Sequence, residues 1–256
     1  MRLLIKLGGT LLDEEPSRRR LAAEIAAVAR EHPHTVVVHG GGKQMTRFLT
    51  ERGVQSQFVN GLRVTTPEVV DAVLKVFAGT VNHELVAALV AAGAQPVGLT
   101  GIDATLVEAE QWSPELGAVG KPVRSNPEVL NVLTGAGFLP VVACVAGDRQ
   151  GRIYNVNADQ MAASCAAGFA ADRLIFLTDV AGVMDGSKQI VPELTSAASR
   201  QLIETGVASG GMQAKLEAAG RALAQGVGQV CVAPGAETDI LNRLLRGETI
   251  GTRVVT

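Results

Sequence analysis

The stretch Arg2-Leu3-Leu4-Ile5-Lys6-Leu7-Gly8-Gly9-Thr10 has the pattern of a buried β-strand that ends in a glycine turn. The pattern returns at Val36-Val37-Val38-His39-Gly40-Gly41-Gly42-Lys43, where an apolar run ends in three glycines and a helical run follows. Strands that pass through short turns into helices are typical of α/β proteins with a parallel sheet. These two stretches therefore predict an α/β fold.

The same alternation of short β-branched runs with Ala- and Leu-rich helical runs continues along all 256 residues. A long helix is predicted from Thr66 to Ala92, with a break near Gly79. Neither an internal repeat nor a low-complexity tract interrupts the pattern, so we predict one domain, 1–256, built as a three-layer αβα sandwich around a largely parallel sheet. The polar turn at 147–151 predicts a functional division into lobes of approximately 1–147 and 148–256.

Composition excludes several classes of partner. The formal net charge is −2 and aromatic residues make up 3% of the chain, which gives neither a basic surface nor stacking platforms for nucleic acid. The longest apolar runs, such as Leu85 to Ala92, fall short of the ~20 residues of a membrane span. Because the three cysteines are far apart in apolar contexts, we expect buried thiols rather than a disulfide or zinc site. With no signal-peptide pattern at the N-terminus, these features predict a cytoplasmic protein without nucleic-acid or membrane partners.

The strand-to-helix turns are the candidate sites, since ligands of α/β sheets lie beyond the carboxyl ends of the strands. Successive glycines before a helix expose backbone N–H groups that can bind an anion. For Gly8-Gly9, with Lys6 nearby, a plain tight turn is an equally good interpretation; for the triplet 40–42 the anion site is favoured. The sequence lacks the P-loop and dinucleotide-binding fingerprints and the protein-kinase signatures.

Three further segments carry residues suited to bind anions or carboxylates. Arg63 can clamp a carboxylate or form a surface ion pair, and Asn157 and Asp159 can be helix caps or functional groups. Lys215 lies one turn into a helix that starts with glycines. Lys6 and Lys215 could therefore flank a transferring phosphoryl group. His39 is expected to be a packed histidine, not a general base.

Six motifs in order carry a family resemblance. They are Lys6-Leu7-Gly8-Gly9, His39-Gly40-Gly41-Gly42, Asn60-Gly61-Leu62-Arg63-Val64-Thr65, Asn155-Val156-Asn157-Ala158-Asp159, Thr178-Asp179-Val180-Ala181-Gly182-Val183 and Gly210-Gly211-Met212-Gln213-Ala214-Lys215. Together they resemble the acetylglutamate kinases of the amino acid kinase family, over nearly the whole chain.

The resemblance implies an activity, namely ATP-dependent phosphorylation of the side-chain carboxylate of N-acetyl-L-glutamate to N-acetylglutamyl 5-phosphate, the second step of arginine biosynthesis. It implies an N-terminal lobe for the acylamino acid and a C-terminal lobe for ATP, with Mg²⁺ carried on the ATP phosphates and no protein metal ligand. Residue by residue, it implies a catalytic group of Lys6, Lys215 and Asp159; substrate contacts from Gly41, Gly42, Arg63 and Asn157; and nucleotide contacts from Gly8, Gly9, Thr178, Asp179, Gly182, Val183, Gly210 and Met212.

The resemblance also sets expectations about assembly and closure. Arginine-inhibited members carry an extra N-terminal helix that links dimers, so we expect a homodimer without that inhibition. We expect the hairpin at Thr105–Trp112 to form part of a lid. At Ile102-Asp103-Ala104 the family often has a glycine after the aspartate, so a different local turn is expected here. The alternatives are a kinase of another acylated amino acid, such as carrier-bound aminoadipate, and an inactive nucleotide-binding regulator.

Overall fold

The computed structural model describes residues 1–256. Its centre is a sheet of eight strands, and four further strands close a small barrel beside it. The strands are β1 (Leu3–Leu7), β2 (Thr35–His39), β3 (Phe58–Val59), β4 (Leu62–Arg63), β5 (Pro96–Thr100), β6 (Val107–Gln111), β7 (Val119–Ser125), β8 (Leu139–Ala143), β9 (Val145–Gly147), β10 (Ile153–Val156), β11 (Arg173–Thr178), β12 (Glu193–Thr195), β13 (Gln229–Pro234) and β14 (Thr252–Val255).

The large sheet has the strand order β12-β14-β13-β11-β1-β2-β8-β5, and β14 runs antiparallel to β13 while the strands from β13 to β5 are parallel. The central strands β1 and β2 are buried along their full length; most of their residues are apolar, and the polar ones are Lys6, Thr35 and His39. Strands β6, β7, β9 and β10 form the barrel.

Helices cover both faces of the sheet, as the predicted αβα sandwich requires. Helix α1 packs with α4 and α9, while α6 packs with α8 and against β1. The helices are α1 (Glu15–Glu31), α2 (Gly42–Thr50), α3 (Pro67–Val73), α4 (Asn82–Ala91), α5 (Glu128–Gly135), α6 (Ala158–Gly168), α7 (Ser196–Glu204), α8 (Gly210–Ala224) and α9 (Ile240–Leu245).

The helix expected to break near Gly79 is continuous. Helices α3 and α4 are joined by a π-helical segment, Leu74–Val81, which absorbs the glycine by widening the turn. The resulting helix, Pro67–Ala91, has 25 residues and is apolar enough to cross a membrane by length and composition, contrary to the expectation from the shorter apolar runs. Val73 and Leu85 of this helix are buried in the protein core, whereas Val90 is exposed.

Candidate active site

Three neighbouring strands end at one edge of the sheet. Strand β1 pairs in parallel with β2 on one side and β11 on the other, so that Leu7 lies beside His39 and Leu177. The two glycine turns that follow β1 and β2 therefore meet. A Cβ atom on Gly9 would lie 2.9 Å from the backbone nitrogen of Gly42, so only glycine fits at this contact.

One carboxylate joins the two lysines that the sequence placed far apart. The ammonium of Lys6, at the end of β1, lies 2.7 Å from Oδ1 of Asp159, and that of Lys215, on α8, lies 3.3 Å from Oδ2. Asp159 is in the first turn of α6 and is buried. Burial opposes its ionisation, but the charges of Lys6 and Lys215 outweigh burial and hold the pKa of the carboxyl below its usual value. The result is a nearly buried cluster with a net positive charge.

Free backbone donors lie in the two glycine turns that follow β1 and β2. The N–H groups of Gly9, Thr10, Gly41 and Gly42 donate to no acceptor within the chain. Gly41 and Gly42 form the beginning of α2, where the helix dipole adds partial positive charge. Cationic side chains and unused N–H groups together are the donor set that phosphate oxygens require.

Gly8 departs from the expected pattern. Its N–H donates to the carbonyl of Leu177 at 3.0 Å, so the donor expected from Gly8 is already used within the sheet. The expectation that the Gly8 N–H receives a phosphate oxygen is therefore corrected. The neighbouring Thr10 N–H, which sequence reasoning missed, is free instead.

Arg63 is buried beside the glycine triplet. Its guanidinium donates to the carbonyl of Gly42 at 3.2 Å, to Oγ1 of Thr46 at 2.8 Å and to the hydroxyl of Ser56, and it lies over the ring of Phe58. Burial lowers the pKa of the guanidinium. The interpretation as a surface ion pair is wrong, because no carboxylate contacts it and its side chain is covered.

A cleft of about 160 Å³ lies between Arg63 and the start of α6. Its lining includes Gly41, Gly42 and Asn157, three of the residues expected to contact substrate. Asn157 also caps α6, since its Oδ1 accepts hydrogen bonds from the N–H groups of Asp159 at 2.9 Å and Gln160 at 3.2 Å. Its amide nitrogen is not used by this cap.

Asn155 also lines the cleft, and sequence reasoning gave it no role. Its Nδ2 donates to Oγ1 of the buried Thr65 at 3.0 Å, which ties β10 to the segment after Arg63. Asn155 lies on β10 and Asn157 follows the strand as the N-cap of α6, so no shared strand face indicated a role for Asn155 in the sequence.

The expected nucleotide residues fall into separate groups. Thr178 ends β11 beside Gly8, and its hydroxyl donates to Asp179 at 3.1 Å. Gly182 packs tightly against Gly251 and Thr252, and the buried Val183 donates its N–H to the Thr252 hydroxyl at 2.8 Å. These two residues thus anchor the loop after β11 to β14.

Two of the expected residues lie at the start of α8. Gly210 begins α8 with a left-handed φ of 53°. Met212 packs against the hydrophobic core.

The hairpin of β3 and β4 lies close to the start of α8. Asn60 and Gly61 both have positive φ, 49° and 77°, as a two-residue hairpin turn requires. Gly61 approaches Gly210 of α8, since a Cβ on Gly61 would lie 3.9 Å from its backbone. The hairpin therefore reaches from Arg63 across to the helix that carries Lys215.

His39 is part of the scaffold, as expected. It is fully buried, its Nδ1 lies 3.0 Å from the carbonyl of Gly40, and its Nε2 lies 3.0 Å from the Nδ2 of Asn82. An amide NH₂ can only donate, so Nε2 is the acceptor and the proton is on Nδ1. Burial lowers the pKa of His39 to about 4, although the bond to the Gly40 carbonyl acts in the opposite direction.

The turn after β5 keeps the backbone that a glycine would adopt. Ala104 has φ 50° and ψ 25°, and Thr105 has φ 55°, both in the left-handed region. Whether this turn differs from that of the family stays a prediction. Asp103 holds the turn closed, because its carboxylate accepts hydrogen bonds from the N–H and hydroxyl of Thr100.

A sequence model of the amino acid kinase family matches residues 1–234. The chain belongs to the amino acid kinase family. It is 65% identical over 256 residues to an acetylglutamate kinase of Solibacter usitatus, with 100% of both chains covered. It is 39% identical over 258 residues to an acetylglutamate kinase of Koribacter versatilis, with 100% of this chain and 99% of the relative covered. Among solved structures, smu.665 from Streptococcus mutans UA159 superposes with a TM-score of 0.83 at 27% identity, covering 99% of this chain and 98% of its own.

Membership of the amino acid kinase family confirms the resemblance and the predicted fold, and it makes this chain a kinase that uses ATP. A kinase of this family must bind a nucleoside triphosphate. The ammonium groups of Lys6 and Lys215 and the free N–H groups of the glycine turns suit its phosphates. No group of three or more His, Cys, Asp or Glu side chains is arranged to hold a metal ion.

Proposed function

We propose that this kinase transfers the γ-phosphoryl group of ATP to the side-chain carboxylate of N-acetyl-L-glutamate, forming N-acetylglutamyl 5-phosphate for arginine biosynthesis. The observation that carries the proposal is the pair Lys6 and Lys215, held on opposite oxygens of Asp159 beside free N–H groups of two glycine turns. The acetylglutamate kinase of Solibacter usitatus, 65% identical over the full length, supports the choice of acceptor.

The chemistry needs positioning and charge neutralisation rather than a proton acceptor. A carboxylate nucleophile has a reference pKa near ~4.3 and is ionised at neutral pH, so it attacks without a general base. Negative charge spreads over the phosphoryl oxygens in the transition state, and Lys6 and Lys215 can follow it from two sides. Asp159 keeps both ammonium groups in place without cancelling their combined charge. The neutral, buried His39 has no proton-transfer role in this scheme.

The acceptor side of the site would be the cleft beside Arg63. Its guanidinium is preorganised by Gly42 and Thr46, and the remaining N–H groups would grip the α-carboxylate of the substrate. The amide nitrogen of Asn157, free of the α6 cap, would donate to the acylamino acid. This assignment supports a division in which residues 1–147 chiefly bind the acceptor.

The nucleotide side would be formed by residues 148–256. Thr178 and Asp179 lie at the end of β11, next to the glycine turn of β1, and Gly182, Val183, Gly210 and Met212 belong to the loop and helix that flank it. Exposed apolar side chains, Val180, Met184 and Val207, lie on the same segments and offer surface for an adenine ring. Mg²⁺ would enter on the ATP phosphates and neutralise part of their charge.

The acyl phosphate product is hydrolysed by water, so the site must close during transfer. The hairpin β3–β4 covers the acceptor cleft through Phe58, Leu62 and Arg63. The Thr105–Trp112 segment, expected as part of a lid, forms β6 in the small barrel next to the cleft-lining Val119. Its role in closure stays a prediction, and deletion of its tip without change in acceptor affinity would argue against it.

A homodimer in the cytoplasm completes the proposal. Strand β5 is at the edge of the sheet with one side unpaired, and α4, which packs against it, carries the exposed Val90. An open strand edge beside apolar side chains is suited to a second copy of the chain. Sedimentation at micromolar concentration would report the assembly.

The decisive experiment traps the acyl phosphate as a hydroxamate, with N-acetylglutamate, N-acetylaspartate, glutamate, aspartate and uridylate as parallel acceptors. Activity with N-acetylglutamate alone, lost in Lys6→Ala and Lys215→Ala, is the expected result. If ATP binds and none of these acceptors is used, a carrier-bound substrate or an inactive regulator replaces the proposal.

A further inference from the structure

Two carbonyl groups, one in each glycine turn, are held by buried side chains that the mechanism does not use. The carbonyl of Gly9 accepts a hydrogen bond from Nε2 of Gln44 at 3.1 Å. The carbonyl of Gly40 accepts one from Nδ1 of His39 at 3.0 Å. Both side chains are more than nine-tenths buried.

Each of these carbonyls fixes the direction of one free N–H group. In a trans peptide the C=O and the following N–H point in opposite directions. Gln44 therefore sets the orientation of the Thr10 N–H through the Gly9 carbonyl, and His39 sets that of the Gly41 N–H through the Gly40 carbonyl. Both N–H groups lack an acceptor within the chain.

Glycine turns need such anchors more than other turns. Without side chains, Gly9 and Gly40–Gly42 have access to many backbone conformations, and a rotated peptide would present a carbonyl oxygen to the phosphate. That oxygen would repel the phosphate where an N–H group attracts it. A fixed peptide plane thus decides whether the turn stabilises or opposes phosphoryl transfer.

Fold stability does not explain Gln44. Its Oε1 is buried and accepts no hydrogen bond from the chain, which costs stability that an apolar side chain of similar size would not lose. His39 is held in turn by Asn82, whose Nδ2 also donates to the carbonyl of Val141 at 3.0 Å. Asn82 occupies space left by Gly98 of β5, where a Cβ would overlap its Oδ1.

We propose that Gln44 and His39 are positioning residues for phosphoryl transfer, which aim the N–H groups of Thr10 and Gly41 at the γ-phosphate by holding the carbonyls of Gly9 and Gly40. The Thr10 N–H thereby becomes a phosphate donor in place of the Gly8 N–H. The proposal rests on the proposed function for the reaction that is measured. It can also be tested by nucleotide binding, without any acceptor.

The test compares matched variants. Gln44→Met keeps the length of the side chain and removes the donor, and His39→Leu removes the other donor, whereas His39→Asn keeps an N–H near the position of Nδ1. Thr10→Pro removes one backbone N–H, and Thr10→Ala keeps it. For each variant kcat, the KM of both substrates and the melting temperature are measured with the acceptor that the wild-type enzyme uses.

We expect Gln44→Met, His39→Leu and Thr10→Pro to lower kcat by about 10- to 100-fold, with His39→Asn and Thr10→Ala within about threefold of wild type. The melting temperature of Gln44→Met should equal or exceed that of wild type. If Gln44→Met keeps its kcat, or if kcat falls only together with the melting temperature in Gln44→Met and His39→Leu alike, the proposal is overturned. Equal activity of Thr10→Pro and Thr10→Ala overturns the role of the Thr10 N–H.

A binding experiment separates this proposal from the proposed function. Calorimetry with AMP-PNP and with ADP, both with Mg²⁺, isolates the contribution of the γ-phosphate. We expect Gln44→Met to weaken AMP-PNP about 10-fold and to leave ADP unchanged. This result would support the positioning role even if N-acetylglutamate proved not to be the acceptor, and equal weakening of both nucleotides would refute it.

Discussion

Lys6 and Lys215 share a single carboxylate, and each contacts a different oxygen of Asp159, at 2.7 and 3.3 Å. One lysine comes from the central strand of the sheet and the other from a helix more than 200 residues later. The shared partner sets the separation of the two charges before any ligand arrives, so that no reorganisation is needed during transfer.

Replacing Asp159 by asparagine should abolish this arrangement while preserving the shape of the side chain. We expect kcat to fall by about 10²- to 10³-fold, because two ammonium groups without a shared anion repel each other and leave their positions. The hydroxamate assay measures the loss. Asp71→Asn, which breaks an exposed pair with Lys75, is the control and should leave kcat unchanged. An Asp159→Asn enzyme with kcat within threefold of wild type would contradict the role of the carboxylate.

Gly9→Ala should separate the two glycine turns. The new Cβ would meet backbone atoms of Gly41 and Gly42 at 2.9–3.0 Å, and backbone cannot rotate away as a side chain can. We expect loss of at least about 10-fold in kcat, since small misplacements of oriented groups are costly. Gly220→Ala in α8, where no atom lies within 4 Å of the new Cβ, should instead stabilise the protein by about 0.5–1 kcal/mol. The melting temperatures of both variants show whether a loss of kcat comes from the displaced glycine turns or from a destabilised fold.

Arg63→Lys should raise the KM for the acceptor about 10- to 100-fold and change the KM for ATP little. A lysine keeps the charge but cannot contact Gly42, Thr46 and a carboxylate together through one planar group. Steady-state kinetics with each substrate varied in turn provides the measurement. Arg19→Lys, in an exposed pair with Glu15, is the matched control. Equal effects on both KM values would mean that Arg63 supports the fold rather than the acceptor.

The stability of the protein should fall in mild acid because of His39. Its pKa is lowered from 6.5 to about 4, so the folded state binds fewer protons than the unfolded state between these values. The stability is therefore fully present above pH 6.5 and is lost as the pH falls toward 4. From pH 7.5 to pH 5 the loss from this residue is roughly 2 kcal/mol. Urea unfolding of wild type and His39→Asn at both pH values measures it, and parallel losses in the two proteins would exclude His39 as the cause.

Ala104→Gly should stabilise the protein by about 0.5–1 kcal/mol. Ala104 has a φ of 50°, where its Cβ is strained against the backbone. Glycine has no Cβ and removes this strain, which outweighs the additional backbone entropy that glycine loses on folding. Ala23→Gly in α1 is the opposite case, because its helical backbone favours alanine, and it should destabilise by about 1 kcal/mol. Chemical denaturation of both variants gives the comparison. Destabilisation of the same size at both positions would show that the turn at Ala104 carries no strain.

Local sequence patterns predicted the parts of the fold that depend on neighbouring residues. Apolar runs such as Val36-Val37-Val38 and the glycines after them indicated the parallel sheet and its ligand edge. Strands β3, β10 and β12 have two to four residues, too short for a period to be visible, and they form only through their partners. The continuity of the helix at Gly79 depends on a π-helical turn, which a glycine in a helical pattern does not indicate.

The candidate site also has parts that the sequence indicated and parts that depend on contacts between distant residues. Glycine turns can be found from the sequence, and the charge of Lys6 and Lys215 suggested that they flank a phosphoryl group, but no local pattern indicated that both lysines contact the carboxylate of Asp159. The Gly8 N–H donates to the Leu177 carbonyl because β1 pairs with β11. The two strands are far apart in the sequence, so no local pattern predicts this hydrogen bond. Gln44 and Asn82 escaped notice because each looks like an ordinary polar residue of an amphipathic helix until its buried contacts are known.

Lys215 is carried by the start of helix α8, which is held less firmly than strand β1, the element that carries Lys6. The helix begins with Gly210 and Gly211, and its preceding Ser209 makes no side-chain cap, whereas Lys6 is fixed in a strand paired on both sides. The first turn of α8 therefore opens at a lower cost than the sheet, by local unfolding. On heating, the enzyme would lose Lys215 from the cluster while Lys6 and Asp159 remained joined. Inactivation would then precede the disappearance of the fold, and bound nucleotide would delay it by holding the helix start in place.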